Sequence, residues 1–356
     1  MKIEAVDLFC GAGGLSYGLM KAGITVSAGI DFEESCKYPF EQNIDNAKFI
    51  HYDISKIPES LIIQQYNSGT IKLLAGCAPC QPFSSLSFSL TKDRKKSDKW
   101  PLLNHFSRLV SEVKPDLVTM ENVPQLSKED IFKEFLDTLE SEGYHVFYTI
   151  VNAEKYGLPQ RRRRLVLLAS KLGDIRILTP EELNISQKTV KDAIYNLPRI
   201  NAGEKDPNDI LHYARKLSDI NLKRIKASKP GGTWKDWPES LRLECHKKES
   251  GSTYTSVYGR MEWNKPSSTI TTQCTHFGTG RYGHPEQHRS ITLREAAILQ
   301  SFPKNYKFIE KEEDFSFKKL GLMIGNAVPV DLGYAIGKSF EYHINNLKKL
   351  GDLLSE

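Results

Sequence analysis

Short apolar runs alternate with amphipathic segments through the first half of the chain. The runs "IEAVDLF", "ITVSAGID", "IKLLAG", "DLVTMEN" and "RLVLLAS" each have the length and composition of a buried β-strand. Between the first two, "GLSYGLMKAG" has helical spacing and reaches Gly23, a residue type that commonly ends helices. Strands that alternate with helices predict an α/β fold with a parallel sheet covered by helices on both faces.

The pattern changes after Ser170, where prolines, glycines, basic residues and aromatic residues mix with little periodicity. Regular helical spacing returns at "LREAAILQSF" and continues in the C-terminal segment. Apolar residues repeat there at Leu332, Ile336, Phe340, Ile344 and Leu347. A long amphipathic helix needs a large apolar surface to cover, and we expect the sheet of the first half to provide it. We predict one domain made of residues 1–170 and 322–356, and a second, smaller, irregular domain made of residues 171–321.

Composition is that of an ordinary globular protein. The 356 residues, 39% of them hydrophobic, suffice for a substantial core. No apolar run approaches the roughly 18 residues of a membrane span, and an acid as early as Glu4 argues against a secretory signal. We therefore expect a cytoplasmic protein. Six cysteines are too sparse for a disulfide scaffold, so most should be free thiols.

Positive charge is clustered, although the net charge of +5 is mild. One cluster is the segment "TKDRKKSDK", and the other is the consecutive run from Arg161 to Arg164. Clustering favours a polyanionic partner more than the total charge does. A solvated charged surface remains the alternative for the lysine-rich segment.

The stretch "VDLFCGAGGLS" places Gly11, Gly13 and Gly14 between a predicted strand and a predicted helix. Such a turn lets a ligand approach the backbone at the carboxyl edge of the sheet. It is not the dinucleotide-binding fingerprint, because Ser16 stands where that pattern requires a third glycine or alanine. An acid follows each of the next two apolar runs. Asp31 could accept hydrogen bonds from ribose hydroxyls, and Asp53 could accept one from the amine of adenine. The set indicates an adenosine-containing ligand.

The stretch "GCAPCQPFSSLS" places Cys77 and Cys80 directly after a predicted strand. A redox pair is disfavoured because such pairs open a helix, whereas prolines surround Cys80. A zinc site is disfavoured because the further ligand types, at Cys245, His246, Cys274 and His276, lack paired spacing, and we expect no metal site. A single nucleophile and two buried thiols at a strand end both remain open from the residues alone.

Seven motifs occur in the order found in DNA (cytosine-5)-methyltransferases. They are "DLFCGAGGLSYGL", "GID", "PCQPFS", "ENVPQL", "GLPQRRRRL", "REAAILQSFP" and "GNAVP". The chain resembles this family from Asp7 to Pro329, and its short layout resembles bacterial or phage modification enzymes. The resemblance implies a Rossmann-like S-adenosylmethionine-dependent methyltransferase domain, residues 1–170 and 322–356, and a DNA target-recognition domain, residues 171–321.

The resemblance also implies the chemistry. Cys80 would add to carbon 6 of cytosine, Glu121 would engage ring nitrogen 3 and the amino group, and Arg164 would hold the carbonyl oxygen. Arg162 would meet a phosphate, on the same strand face as Arg164. The family's S-adenosylmethionine contacts fall on Phe9, Gly11, Gly13, Gly14, Asp31, Phe32, Asp53, Ile54, Asn326 and Val328. Cys10 and Cys77 fill positions that vary in the family.

Double-stranded DNA is the partner that the resemblance implies, with base flipping and a mobile lid over residues 81–100. Trp234, Trp237, Tyr254, Tyr258, Arg260 and Arg281 could contact DNA, although we favour a place in the core of the small domain for most of the aromatic residues. We expect a monomer, with a cognate restriction endonuclease as a possible partner.

Three alternatives remain. One branch of the family methylates transfer RNA, and the sizeable second domain argues against it. The others are a nucleic-acid-binding protein that has lost activity and a dehydrogenase. The inactive binding protein is disfavoured by the intact Cys80, Glu121 and Arg164, and the dehydrogenase is disfavoured by Ser16.

Overall fold

The computed structural model describes residues 2–79, 102–248, 251, 253 and 255–355. Cys80, the predicted lid over residues 81–100 and Tyr254 lie outside the described residues.

A seven-stranded sheet forms the centre of the first half. Its strands are β1 (Ile3–Leu8), β2 (Thr25–Asp31), β3 (Lys48–His51), β4 (Ile71–Gly76), β5 (Leu117–Asn122), β6 (His145–Asn152) and β7 (Arg163–Ser170). The order is β3-β2-β1-β4-β5-β7-β6. All residues of β1 and of β5 are buried, because helices cover both faces of the centre of the sheet. The predicted α/β fold is confirmed.

One strand departs from the parallel sheet expected from the sequence. β7 runs antiparallel to both of its neighbours, β5 and β6. No α-helix separates β6 from β7, and the connection holds only a 3-10 turn over Ala153–Tyr156. A parallel pair needs a longer crossover, whereas antiparallel neighbours accept such a short connection.

The helices are α1 (Gly14–Ala22), α2 (Lys37–Asn43), α3 (Glu59–Ile63), α4 (Leu102–Val113), α5 (Asp130–Ser141), α6 (Val190–Ile194), α7 (Asp219–Ala227), α8 (Glu244–Lys247), α9 (Leu293–Leu299), α10 (Phe317–Asn326) and α11 (Val330–Ser355). Phe106 of α4 and Phe135 of α5 pack with ring centroids 5.3 Å apart. Together with the side chains of β1, β4 and β5 they form the main apolar core.

The C-terminal helix α11 packs along α1 at a close approach. A Cβ on Gly18 would lie 2.5 Å from the Val330 carbonyl oxygen and 2.6 Å from the Gly333 Cα. Farther along, His343 Nε2 lies 2.8 Å from the hydroxyl of Ser170, at the end of β7. The predicted amphipathic helix therefore covers α1 as well as one edge of the sheet.

One helical stretch, Phe317–Lys349, has the length and hydropathy of a candidate membrane span. Of its most apolar window, 67% is buried inside the protein. Burial of this kind is typical of a core helix.

The chain divides into two compact units. The first comprises Met1–Tyr156, Arg163–Ile185 and Val328–Glu356, and the second comprises Gly157–Arg162 and Ser186–Ala327. Residues 171–185 thus group with the first unit, and residues 157–162 and 322–327 with the second. The catalytic and target-recognition roles of the two units stay predictions.

The second unit has little regular structure, with short helices and a two-stranded ribbon of β8 (Lys205–Asp206) and β9 (Asp209–Tyr213). A buried ion pair organises its centre, where both Arg289 terminal nitrogens donate to Glu295 at 2.8 Å. Burial by itself would raise the pKa of Glu295, but the Arg289 charge and hydrogen bonds bring it down to about 2. Glu295 also accepts from the backbone N–H of Thr292, completing a capping box that begins α9.

Candidate active site

The turn between β1 and α1 has an unusual backbone conformation. Gly11 and Gly13 have φ of +52° and +86°, and Phe9 between them and the strand has φ of +58°. A non-glycine residue in the left-handed region carries strain that is concentrated at ligand sites. A Cβ added at Gly11 would meet nothing within 4 Å, so the turn borders open space. Gly14 begins α1 and is buried.

Asp31 at the end of β2 is oriented by backbone groups. The Gly11 N–H donates to Oδ2 and the Glu33 N–H to Oδ1, each at 2.9 Å. Burial raises the pKa of the Asp31 carboxyl, and these two hydrogen bonds oppose the rise. Each oxygen retains acceptor capacity, which matches a pair of neighbouring ribose hydroxyls.

Phe32, Asp53 and Ile54 lie at the neighbouring strand ends. The Phe32 ring is 72% exposed and stands 6.1 Å from the His51 ring. The Asp53 Oδ1 accepts from the Ser55 hydroxyl at 2.8 Å and the Ser55 N–H at 2.9 Å, which lowers the pKa of Asp53. Ile54 is buried, and its carbonyl accepts from Arg108 of α4. The ends of β1, β2 and β3 thus bring together most of the residues predicted to bind the cofactor.

The last two predicted cofactor residues, Asn326 and Val328, fall in different units. Asn326 ends α10 in the second unit and is exposed, whereas Val328 begins the last segment of the first unit and is buried. Their part in cofactor binding stays a prediction.

Asp7 in β1 is a buried acid for which the sequence motifs predict no role. Its carboxylate accepts from the Ser16 hydroxyl at 2.6 Å, which ties β1 to the first turn of α1. Burial raises the pKa of Asp7 to about 7, and the nearby charge of Asp31 adds to the rise. An acid inside the apolar run "IEAVDLF" is the signal that could have revealed it.

Glu121 at the end of β5 is the centre of the predicted catalytic group. Its side chain is only 3% exposed, and its two oxygens have different partners. Oε1 lies 2.8 Å from Nε of Arg164, and Oε2 accepts from the thiol of Cys77 at 3.0 Å. The Arg164 contact is an ion pair without an aligned N–H, so Oε1 receives no hydrogen bond from any described residue. A buried acceptor of this kind fits a substrate N–H donor.

The loop after β4 is fixed to the end of β5. The Asn122 side-chain amide donates to the Ala78 carbonyl at 3.0 Å, and the Cys77 N–H donates to the Leu8 carbonyl at 3.4 Å. These contacts hold residues 77–79, which lead into Cys80.

The five cysteines among the described residues, Cys10, Cys36, Cys77, Cys245 and Cys274, are free thiols, as predicted. In the same part of the chain no group of His, Cys, Asp and Glu side chains could hold a metal ion.

The four consecutive arginines alternate in burial. Arg161 and Arg163 are exposed, whereas Arg162 is buried and the Arg164 side chain is 13% exposed. The guanidinium of Arg162 donates to the carbonyls of Ile270, Gly325 and Ala327, at 3.0, 3.2 and 3.4 Å. Within the second unit, Arg162 therefore supports the end of α10, and its contact with a phosphate stays a prediction.

Candidate DNA contacts in the second unit are mostly structural. Trp234 and Trp237 are buried in an apolar cluster with Phe277, against which Tyr258 packs. Arg260 is buried and donates to the Ile225 carbonyl, and Arg281 donates to the Gly232 carbonyl. The expectation that most of the aromatic residues belong to the core is confirmed for these, and the arginines share that role.

Comparison with known proteins agrees with this geometry. The family model for C-5 cytosine-specific DNA methylases matches residues 3–341. The chain is 49% identical over 345 residues to the Type II methylase M.HgiDII of Herpetosiphon aurantiacus, with 96% of each chain covered. It is 33% identical to the Type II methyltransferase M1.BsuMI of Bacillus subtilis, covering 94% of this chain and 79% of the relative.

Solved structures share the fold. A DNA modification methyltransferase encoded in an Escherichia coli prophage superposes with a TM-score of 0.71 at 23% identity, covering 97% of this chain and 100% of its own. The Dnmt2 methyltransferase of S. pombe gives 0.63 at 18% identity, with 96% and 99% covered. With the sheet order, the glycine turn and the Glu121 cluster, the family match shows that this chain belongs to the C-5 cytosine-specific DNA methylases, of the bacterial or phage modification type.

Proposed function

We propose that this protein transfers a methyl group from S-adenosylmethionine to carbon 5 of cytosine within a specific sequence of double-stranded DNA. The buried Glu121 carboxylate carries the proposal, because one of its oxygens is held and the other lacks a donor among the described residues. The cytosine amino group is the complementary donor for this oxygen, and ring nitrogen 3 is an acceptor for a proton on the carboxyl group.

The β1 to β3 edge fits the adenosyl part of the methyl donor. Asp31 would accept the ribose hydroxyls, since Gly11 and Glu33 already orient its carboxylate. The exposed ring of Phe32 offers a face for adenine, and Asp53 offers an acceptor for the adenine amine. When bound there, S-adenosylmethionine supplies an electrophilic methyl group on a sulfonium.

The chemistry at cytosine needs a nucleophile, because carbon 5 of an aromatic pyrimidine does not capture a methyl group unaided. The Cys80 thiolate would form a bond to carbon 6, while the carboxyl group of Glu121, in its acid form, gives its proton to nitrogen 3 and so neutralises the negative charge that enters the ring. Arg164 would hold the carbonyl oxygen and keep Glu121 in place through their ion pair. After methyl transfer, the carbon 5 proton passes to water, its bonding pair re-forms the ring double bond as the thiolate leaves carbon 6, and nitrogen 3 returns its proton to Glu121.

A cytosine inside a duplex cannot reach Cys80, so the target base would flip out of the helix, at a cost of a few kcal/mol. Residues 81–100, the predicted lid, would then close over it. The exposed Arg161 and Arg163 are suited to phosphate contacts, a role first predicted for Arg162. Such contacts position the duplex without reading its sequence.

The names of the relatives support a place in a Type II restriction-modification system. M.HgiDII, at 49% identity over 96% of both chains, is named a Type II methylase. The protein would then act in the cytoplasm as a monomer, beside an endonuclease that cuts the same unmethylated sequence. The transfer RNA alternative is disfavoured, because the relative that matches 49% of the aligned residues is named a Type II methylase.

Methyl transfer from labelled S-adenosylmethionine tests the proposal directly. Duplex genomic DNA should accept label and transfer RNA should not, and bisulfite sequencing of DNA from expressing cells should reveal one short methylated sequence. Transfer to RNA alone would make the RNA-modifying alternative correct.

The nucleophile is tested with Cys80→Ser and with duplexes that carry 5-fluorocytosine at the methylated site. Fluorine cannot leave as a proton does, so wild-type protein should become covalently attached to the DNA when the methyl donor is present. Cys80→Ser should lose both turnover and attachment, yet bind DNA. Cys245→Ser, an exposed thiol in the second unit, is the matched control. Normal turnover by Cys80→Ser would refute the assignment.

A further inference from the structure

We propose that the thiol of Cys77 is a positioning group for Glu121, fixing which carboxylate oxygen is presented to the cytosine. The inference rests on the proposed function. It concerns a thiol three positions before the predicted nucleophile, at a position that varies in the family.

The two groups that flank Glu121 act differently. Arg164 lies 2.8 Å from Oε1 but makes an ion pair without an aligned N–H. Charge attraction of that kind is tolerant of rotation about the terminal bond of a glutamate, whose torsion is broad. A hydrogen bond is directional. Among the described residues Cys77 alone donates one to this carboxylate, at Oε2 and 3.0 Å.

The backbone that carries the thiol is held in place by both neighbouring strands. The Cys77 N–H donates to the Leu8 carbonyl at the end of β1, and the next residue, Ala78, accepts from the Asn122 amide. Glu121 belongs to β5, immediately before Asn122. Donor and acceptor are thus fixed by the ends of three adjacent strands, which is the preorganisation that an active-site group needs.

A thiol is suited to this task because it is a weak donor. It suffices to select one rotation of the carboxylate before substrate arrives. Because the hydrogen bond from the thiol is weak, it competes little with substrate when Glu121 must bind both nitrogen 3 and the amino group of cytosine. Oε1, which receives no hydrogen bond from a described residue, is then turned toward the substrate.

Two substitutions separate positioning from simple packing. Cys77→Ser keeps a donor but is smaller, whereas Cys77→Val fills the volume but has no donor. If Cys77 positions Glu121, Cys77→Val should lower kcat about five- to tenfold, with KM for DNA and affinity for S-adenosylmethionine within about twofold of wild type. Cys77→Ser should retain kcat within about twofold or threefold. If Cys77 only fills space, Cys77→Val should retain more of the wild-type kcat than Cys77→Ser.

A double-mutant cycle tests whether Cys77 acts through Glu121. In single-turnover assays with enzyme in excess, slow rates remain measurable, so Cys77→Val can be compared alone and combined with Glu121→Gln. We expect Cys77→Val to slow the wild type but to add less than about twofold in the Gln background. Equal slowing in both backgrounds, or normal kcat for Cys77→Val alone, would overturn the inference.

Failure of the inference and failure of the proposed function are distinguishable. If wild-type protein methylates duplex DNA but the Cys77 variants rank as packing predicts, only the inference fails. If wild-type protein transfers no methyl group to DNA, the proposed function fails first. Thermal unfolding of each variant guards against misfolding, and Cys77→Ala supplies a third substitution without a donor if valine is too bulky.

Discussion

The buried acid Asp7 makes the stability of the protein at the turn between β1 and α1 depend on pH. Its carboxyl is buried beside Ser16, and burial raises its pKa from the usual 3.8 to about 7. A raised pKa means that the folded state prefers the protonated form. The stability that this preference contributes is present at low pH and is lost as pH rises through about 7.

Asp7→Asn should therefore remove a pH-dependent penalty. The asparagine oxygen can still accept from Ser16, so the variant should match wild type near pH 4 and exceed its free energy of unfolding above pH 7. The gap should be on the order of a few kcal/mol. Denaturant unfolding across this pH range measures it.

Asp53→Asn is the control of opposite sign, because hydrogen bonds from Ser55 lower the pKa of Asp53. That variant should lose stability relative to wild type as pH rises from acidic values. A gap between wild type and Asp7→Asn that does not change with pH would contradict the assignment of Asp7.

The buried residues of the site could be predicted only in part from the residues next to them in the sequence. Glu121 and Arg164 were identified through motifs, and the structure pairs them. The partner of the second Glu121 oxygen is Cys77, for which the motifs imply no role. Cys77 and Glu121 are 44 positions apart, so no local pattern could pair them.

Helices α1 and α11 illustrate what element packing adds. The periodicity of α11 predicted an apolar stripe but not its partner. The helices meet where two glycines face each other, and a Cβ at Gly18 would lie 2.5 Å from the Val330 carbonyl oxygen. The absence of a side chain is what permits this distance.

Gly18→Ala should force α1 and α11 apart. The expected loss is about 1–3 kcal/mol of unfolding free energy, the usual cost of overpacking a tight interface. Thermal or denaturant unfolding measures it. Gly143→Ala is the matched control, since it meets nothing within 4 Å and carries only the strain of its φ of +82°. Wild-type stability of Gly18→Ala would argue against a tight crossing.

At the scale of the whole molecule, a bound methyl donor should stabilise the first unit. A ligand that binds only the folded state contributes about 2.7 kcal/mol at 100 times its Kd, which appears as a higher Tm. Asp31→Ala should show little of this shift at the same concentration, because the ribose hydroxyls lose their acceptor.

Asp137→Asn, an exposed acid on α5, should shift as wild type does. Differential scanning with increasing S-adenosylmethionine measures all three proteins. A full shift for Asp31→Ala would remove Asp31 from the cofactor site.

The α/β class, the irregular second domain and the order of the family motifs could all be predicted from the amino-acid sequence. Periodicity and motif spacing depend on residues close together in the chain, so they can be read without a structure. Tertiary structure alone decided the antiparallel β7, the α1 partner of α11 and the burial of Arg162 against carbonyls more than a hundred positions away. It also decided that Cys77 donates to Glu121. These features depend on which residues, far apart in the sequence, are brought into contact by packing. Patterns of neighbouring residues in the sequence do not contain that information.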